Sequence, residues 1–285
     1  MVYIPILGAL ALAAGTVLER SILKGRKISI KLYQTISFFV IILVMLPFLY
    51  FFWKIDYSNA LQLKNILLFA GIIASAIAAN ILIFYSEKWE KVTNLEPARI
   101  LEPLFTILLA LLLSFFTIGI YDRNFNVIIP AIIASLALVF PHIKKHHLNF
   151  NRYFLAAIFG SFFFALELVL SKPLLSFYSP ISFYFIRCAV IFMISLIAFM
   201  PSLKPLKDKK TSLMILITGA IWVVYRIAIY FAYMRYGVTF TTLILMTGPI
   251  LIYILANRFL KEKLNWENIL SSLIIIACVI YAIFI

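Results

Sequence analysis

The chain has 285 residues, of which 65% are hydrophobic and only 13% charged, and its mean hydropathy is +1.08. A soluble domain carries about 45–50% apolar and about 25% charged residues, so this composition excludes an ordinary water-soluble fold and points to a polytopic membrane protein. The net charge of +14 sits almost wholly in short loops between apolar runs, so it does not call for a nucleic-acid partner.

Ten apolar segments follow one another, at 3–18, 33–53, 66–86, 98–118, 126–141, 153–172, 180–200, 213–234, 239–259 and 267–285. As helices at 1.5 Å per residue they approach or exceed the length that crosses a hydrocarbon core of about 30 Å. Strands of a barrel would alternate in segments of about ten residues, and no such alternation appears. The expected fold class is therefore an all-α membrane protein with ten transmembrane helices. The first segment has no basic residue before it and several after it, unlike a secretory signal with a basic n-region. Segment 3 carries Asn80 and Phe84 on one face. Segment 4 opens with Arg99 and Glu102, three residues apart and adjacent on a helix, followed by Pro103. Between segments 5 and 6, His142, His146 and His147 cluster without further ligands at suitable spacing, so no metal or cofactor is expected. Glu167 lies near the end of segment 6 and Arg187 near the start of segment 7, at nearly equal depth across a hairpin, which favours a buried ion pair. Segment 8, "AIWVVYRIAIYFAYMR", sets Arg226 among Trp222, Tyr225 and Tyr230. A translocon-type scale charges about 2.5–3.5 kcal/mol for an arginine at such a place, so a compensating contact or a use must hold it. Two roles stay open: a ligand for an anionic group, or a tether joining Glu167 and Arg187. Cys188 and Cys278 lie within apolar segments and read as small hydrophobes.

The loops after segments 1, 3, 5, 7 and 9 hold 17 Lys/Arg and those after segments 2, 4, 6 and 8 hold 5. That asymmetry places the odd loops in the cytoplasm and both termini outside. Shifting the chain by 146 residues lays 79–110 on 225–256 without a gap, with Val92-Thr93 on Val238-Thr239, Pro103 on Pro249 and Asn80 on Arg226. Both prolines lie inside apolar runs, where they remove a backbone hydrogen bond and kink a helix. The duplication divides the chain into five-helix halves, 1–147 and 148–285. Five is odd, so the second half must enter the membrane inverted.

The stretch "TTLILMTGPILIYILANRFLKEKLNWENILSSLIIIACVIYAIF" resembles the proline-containing helix, acidic turn and closing helix of EamA-type members of the drug/metabolite transporter superfamily, with Pro249 and Glu262 in the matching places. "SKPLLSFYSPISFYFIR" is similar to the turn between helices 6 and 7 of that family, with Pro180 and Arg187 at matching positions. Phe116 and Ser271-Ser272 depart from the pattern. The resemblance implies a carrier that exports small organic solutes across the cell membrane, with termini in the cytoplasm, opposite to the charge count. Sequence signatures of enzymes (HExxH, GxSxG, a glycine-rich phosphate loop) are lacking, so the chain reads as no enzyme. The function expected is secondary active transport of a small anionic or zwitterionic metabolite, such as an amino acid, by alternating access, with protons as a candidate coupling ion carried by Glu167 or Glu102. Arg226 and Asn80 flank the midplane, and Trp222, Tyr225, Tyr230 and Phe84 offer aromatic walls for a substrate. Arg99 with Glu102, and Glu167 with Arg187, are also readable as structural pairs. The alternative is translocation of a lipid headgroup or a membrane scaffold.

Overall fold

The structure, a computed structural model, describes residues 3–25, 28–90, 95, 98–117, 119–121, 123–143, 151–251 and 266–284. Among the described residues there are ten longer helices: α1 Tyr3–Gly25, α2 Ile30–Phe52, α3 Leu63–Trp89, α4 Leu101–Ser114, α5 Phe125–Ile143, α6 Arg152–Leu174, α7 Pro180–Phe199, α8 Lys209–Tyr236, α9 Val238–Leu245 and α10 Trp266–Phe284. Apolar runs of this length become helices because each backbone N–H and C=O is then satisfied within its own segment. Their starts are marked by side chains that accept from otherwise unpartnered amides, as Ser29, Asn151, Ser179 and Asp208 do. Among the described residues, β structure amounts to the isolated bridge between Ile55 and Tyr178.

Among the described residues, six helices are long and apolar enough to cross a membrane: α1, α2, α3, α6, α7 and α8. The fourth and ninth apolar segments differ from the continuous spans expected. Helical hydrogen bonding is interrupted at Ile100, before α4, and at Met246, after α9, where the chain turns and resumes helix through 251. Each interruption lies three residues before a proline, Pro103 and Pro249, whose ring crowds the carbonyl four residues back. Pro103 thus stands in the first turn of α4 rather than bending the middle of a long helix. A helix of 14 residues such as α4 rises only about 21 Å and does not span by itself.

The principal packings join α3 to α6, α1 to α8, α2 to α7 and α5 to α10. Lipid is as apolar as leucine, so helix association here rests on close packing and polar contacts rather than on escape from water. Small residues sit where backbones approach. A Cβ on Gly160 of α6 would lie 2.8 Å from Ile83 of α3, and one on Gly219 of α8 would lie 2.5 Å from Val40 of α2. On α1, Gly15 faces Ile221 and Trp222 of α8 in the same way. Leu7, Leu10 and Val17 on α1, with Leu216, Ile217 and Val224 on α8, point outward as expected of a lipid-facing surface.

One end of the α2–α7 pair is stitched by the loops that follow α2 and α6. Asp56 donates its backbone N–H to the Phe177 carbonyl at 2.8 Å, and Ser179 donates to the Lys54 carbonyl at 2.9 Å. The Lys54 N–H in turn reaches Ser182 Oγ at 2.9 Å. Both loops therefore lie on the same side of the bundle, as alternating crossings require.

Candidate functional site

Two clusters of charged side chains lie inside the bundle. The first is built on Glu167 of α6, which is 0% exposed. Its Oε2 accepts from Arg226 Nη1 of α8 at 2.9 Å, and its Oε1 accepts from the Tyr230 hydroxyl at 3.1 Å. Arg187 Nε of α7 stands 3.3 Å from the same Oε1, an ion pair whose geometry falls short of a hydrogen bond. Arg187 also donates from Nη1 to the Tyr230 hydroxyl at 3.3 Å. Ser171, one turn along α6, adds a long contact of 3.4 Å to Oε1. The similar depth of Glu167, Arg187 and Arg226 along α6, α7 and α8 brings these residues together, so Arg226 does join them.

Charge counting gives the cluster its character. By its ion pairs alone, one carboxylate faces two guanidiniums, which leaves one surplus positive charge in the cluster; Glu102 is a further carboxylate that borders the same cavity. Arg226 is 7% exposed and lines a cavity of about 60 Å³, while its guanidinium lies 5.6 Å from the ring centres of both Phe164 and Tyr225. With Nη1 engaged by Glu167, the other guanidinium N–H groups are available for a second acceptor. Rings on two sides favour a cation at this place.

The same cavity is lined by Asn80 and Phe84 of α3, by Trp222 and Tyr225 of α8, and by Arg99, Glu102 and Arg187. Asn80 and Arg226, equivalent under the 146-residue shift, thus share one cavity. Asn80 donates one amide N–H to the Ala76 carbonyl at 2.6 Å, which leaves its second N–H and its carbonyl oxygen to offer the cavity. Trp222 meets Tyr225 edge-on at 5.3 Å between centres. Tyr230 is placed differently from an aromatic wall residue: it is 0% exposed and turned toward Glu167 and Arg187.

The second cluster is centred on Glu87, at the end of α3. Arg99 donates from Nη1 to Glu87 Oε1, and Arg20 Nε of α1 lies 3.7 Å from the same oxygen. Glu19, also on α1 and buried, accepts from the Tyr33 hydroxyl at 3.3 Å. The ion-pair partner of Arg99 is therefore Glu87 and not Glu102, despite the three-residue spacing of the latter. The break at Ile100 takes Arg99 off the regular spiral of α4 and aims it at α3. Glu102, on α4, makes no ion pair among the described residues and borders the cavity. Sequence reasoning placed Glu19 and Arg20 in a loop, since the first apolar run stops at 18; the helix continues to Gly25 and draws both inside. Their signal was present as a Glu-Arg pair directly continuing an apolar helix.

Among the described residues no group of three or more His, Cys, Asp or Glu is arranged to hold a metal. His146, His147 and Glu262 lie outside the described residues, as do Val92 and Thr93.

Residues 151–284 match the EamA-like transporter family. The fold as a whole is shared with a solved structure described only as the crystal structure of a protein, with TM-score 0.70, 15% sequence identity, and coverage of 99% of this chain and 98% of that one. At this identity the likeness speaks for the fold alone. No curated protein matches the sequence.

Proposed function

We propose that this multi-pass membrane protein, whose residues 151–284 match the EamA-like transporter family, is a secondary active transporter, working as an exporter, of a small organic anion or zwitterion across the plasma membrane. The observation that carries this reading is the surplus charge at Arg226: a guanidinium that shares its carboxylate with Arg187 and still borders a cavity. A carboxylate or phosphate bound there supplies the missing negative charge through a bidentate, charge-assisted contact. Asn80 accepts from a donor on the solute, and Trp222, Tyr225 and Phe84 cover its apolar part. Tyr230 acts through Glu167, holding the carboxylate that orients Arg226.

Alternating access follows from two inverted repeats, 1–147 and 148–285. Three features support that division. Moving each helix label by five exchanges the α3–α6 packing with the α8–α1 packing and returns α2–α7 and α5–α10 to themselves. The helix breaks at Ile100 and Met246 are separated by the same 146 residues as the aligned prolines. The two charged clusters sit toward opposite ends of the cavity, so each is suited to closing one mouth. Glu167 is engaged by Arg226, Arg187 and Tyr230, so of the two candidates Glu102, which borders the cavity as Glu19 also does, is the carboxylate that exchanges a proton during transport. The odd-numbered loops face the cytoplasm by their Lys/Arg excess, and both termini face outward.

The test is uptake of candidate solutes into proteoliposomes with and without a pH gradient. Loss of one charge-assisted contact of about 1.5–3 kcal/mol predicts that Arg226→Ala lowers uptake of an anionic solute by about tenfold or more. Uptake unchanged in Arg226→Ala sinks the anion assignment, and a pH dependence unchanged in Glu102→Gln sinks the proton assignment.

A further inference from the structure

Beside the charged cavity lies a second one of about 130 Å³, whose apolar wall is formed by Leu138, Leu168, Leu245, Met246 and Pro249 among other residues. The two adjoin, for Leu12, Arg99, Glu102 and Tyr225 border both. Beyond that shared border the walls are mostly apolar, interrupted by Thr16, Arg20, Thr106, Tyr233 and Thr242. An empty apolar cavity costs a fold the contacts that a packed core makes, and close packing is the rule elsewhere in protein interiors. Its size is near the about 150 Å³ of an apolar cavity that takes up benzene. A solute headed by an anion at Arg226 therefore has, beyond Tyr225, a mostly apolar space for one compact hydrocarbon group.

The geometry points to a bipartite binding site whose substrate class is a small amphiphilic monoanion: a carboxylate head at Arg226 in the charged cavity, and a single apolar tail of about six carbons in the aliphatic one. Sugars, dicarboxylates and nucleotides lack such a tail and leave the aliphatic cavity empty. This rests on the anion reading of Arg226 and adds to it the selection for tail size. Leu138 of α5, Leu168 of α6 and Leu245 with Met246 of the α9 segment are then specificity-determining residues. They lie on three stretches of chain from both halves, so the tail cavity is assembled only by the complete fold.

The experiment is binding to the full chain in nanodiscs, read by calorimetry, with straight-chain carboxylates of increasing length and the matching primary amides. Affinity is expected to rise about fourfold per added methylene, to stop rising near six carbons, and to favour each carboxylate over its amide by at least about tenfold. Leu245→Phe and Leu138→Phe, each adding bulk to the aliphatic cavity, are expected to move the stopping point to shorter chains in the same lipid. Two variants from different helices keep the test valid if one of them does not fold. A stopping point that is missing, or that stays put in the folded variants, overturns the bipartite site even where carboxylates beat amides and the anion reading stands. Equal binding of carboxylates and amides overturns both together, as does failure of the whole series to bind.

Discussion

Replacing Glu167 by glutamine removes the one negative charge that two buried guanidiniums share. Arg226 Nη1 at 2.9 Å and Arg187 Nε at 3.3 Å both lose their counter-charge, and Tyr230 loses its acceptor. A unit pair at about 4 Å is worth about 4 kcal/mol at an effective dielectric of 20. Removing one partner of a buried pair costs about 3–5 kcal/mol, because the other charge stays buried. Arg226→Met differs in sign of charge balance: it leaves Arg187 and Glu167 as a neutral pair and costs only the charge-assisted bond, about 1.5–3 kcal/mol before relief of the repulsion between the two guanidiniums. The double variant keeps a single unpaired arginine, so its loss should fall short of the sum of the single losses by about 1–3 kcal/mol. Reversible unfolding in mixed micelles, titrated with denaturing detergent, measures all three. A Glu167→Gln loss below about 1 kcal/mol, or strictly additive losses, would refute the shared counter-charge and with it the surplus charge on which the anion site depends.

Three further outcomes follow from the packing, the loops and the charge asymmetry. Gly219→Ala puts a Cβ 2.5 Å from Val40 Cγ1 and should destabilise by about 1–3 kcal/mol, while Gly71→Ala, with nothing within 4 Å, should be neutral or stabilising by up to about 1 kcal/mol; the same unfolding assay separates them. In the loop after α2, Asp56 accepts from Ser58 Oγ at 2.6 Å and Asn59 Nδ2 at 2.7 Å, and these bonds hold its carboxyl below the usual carboxylate range. A carboxylate lowered on folding stabilises above its unfolded pKa of about 3.9 and loses that contribution as pH falls through the folded value, so a small loss of thermal stability confined to acid pH should vanish in Asp56→Asn. With Cys188 and Cys278 replaced, a cysteine at the exposed Ser58 should react with a membrane-impermeant maleimide in intact cells and one at the exposed Ser202 should not; the reverse pattern would place both termini in the cytoplasm.

Along the chain, composition and apolar run lengths were enough to read a helical membrane protein, since a hydrocarbon solvent leaves a backbone few other choices. Depth along consecutive helices was enough to gather Glu167, Arg187 and Arg226, because three connected helices crossing the same slab put residues of equal depth at one level. The 146-residue register paired Pro103 with Pro249 as kinks, and the structure puts a helix break three residues before each, since proline acts on its own helix whatever surrounds it. Sequence spacing could not choose the partner of Arg99. Glu102 is nearest along the helix, but the turn at Ile100 and the neighbouring end of α3 give the guanidinium to Glu87. Nor could it turn Tyr230 away from the cavity and Tyr225 toward it, or set an aliphatic cavity beside the charged one. Those arrangements depend on how helices from both halves rotate against one another, and within a membrane that rotation is settled by side-chain packing and by where each buried charge finds its counter-charge.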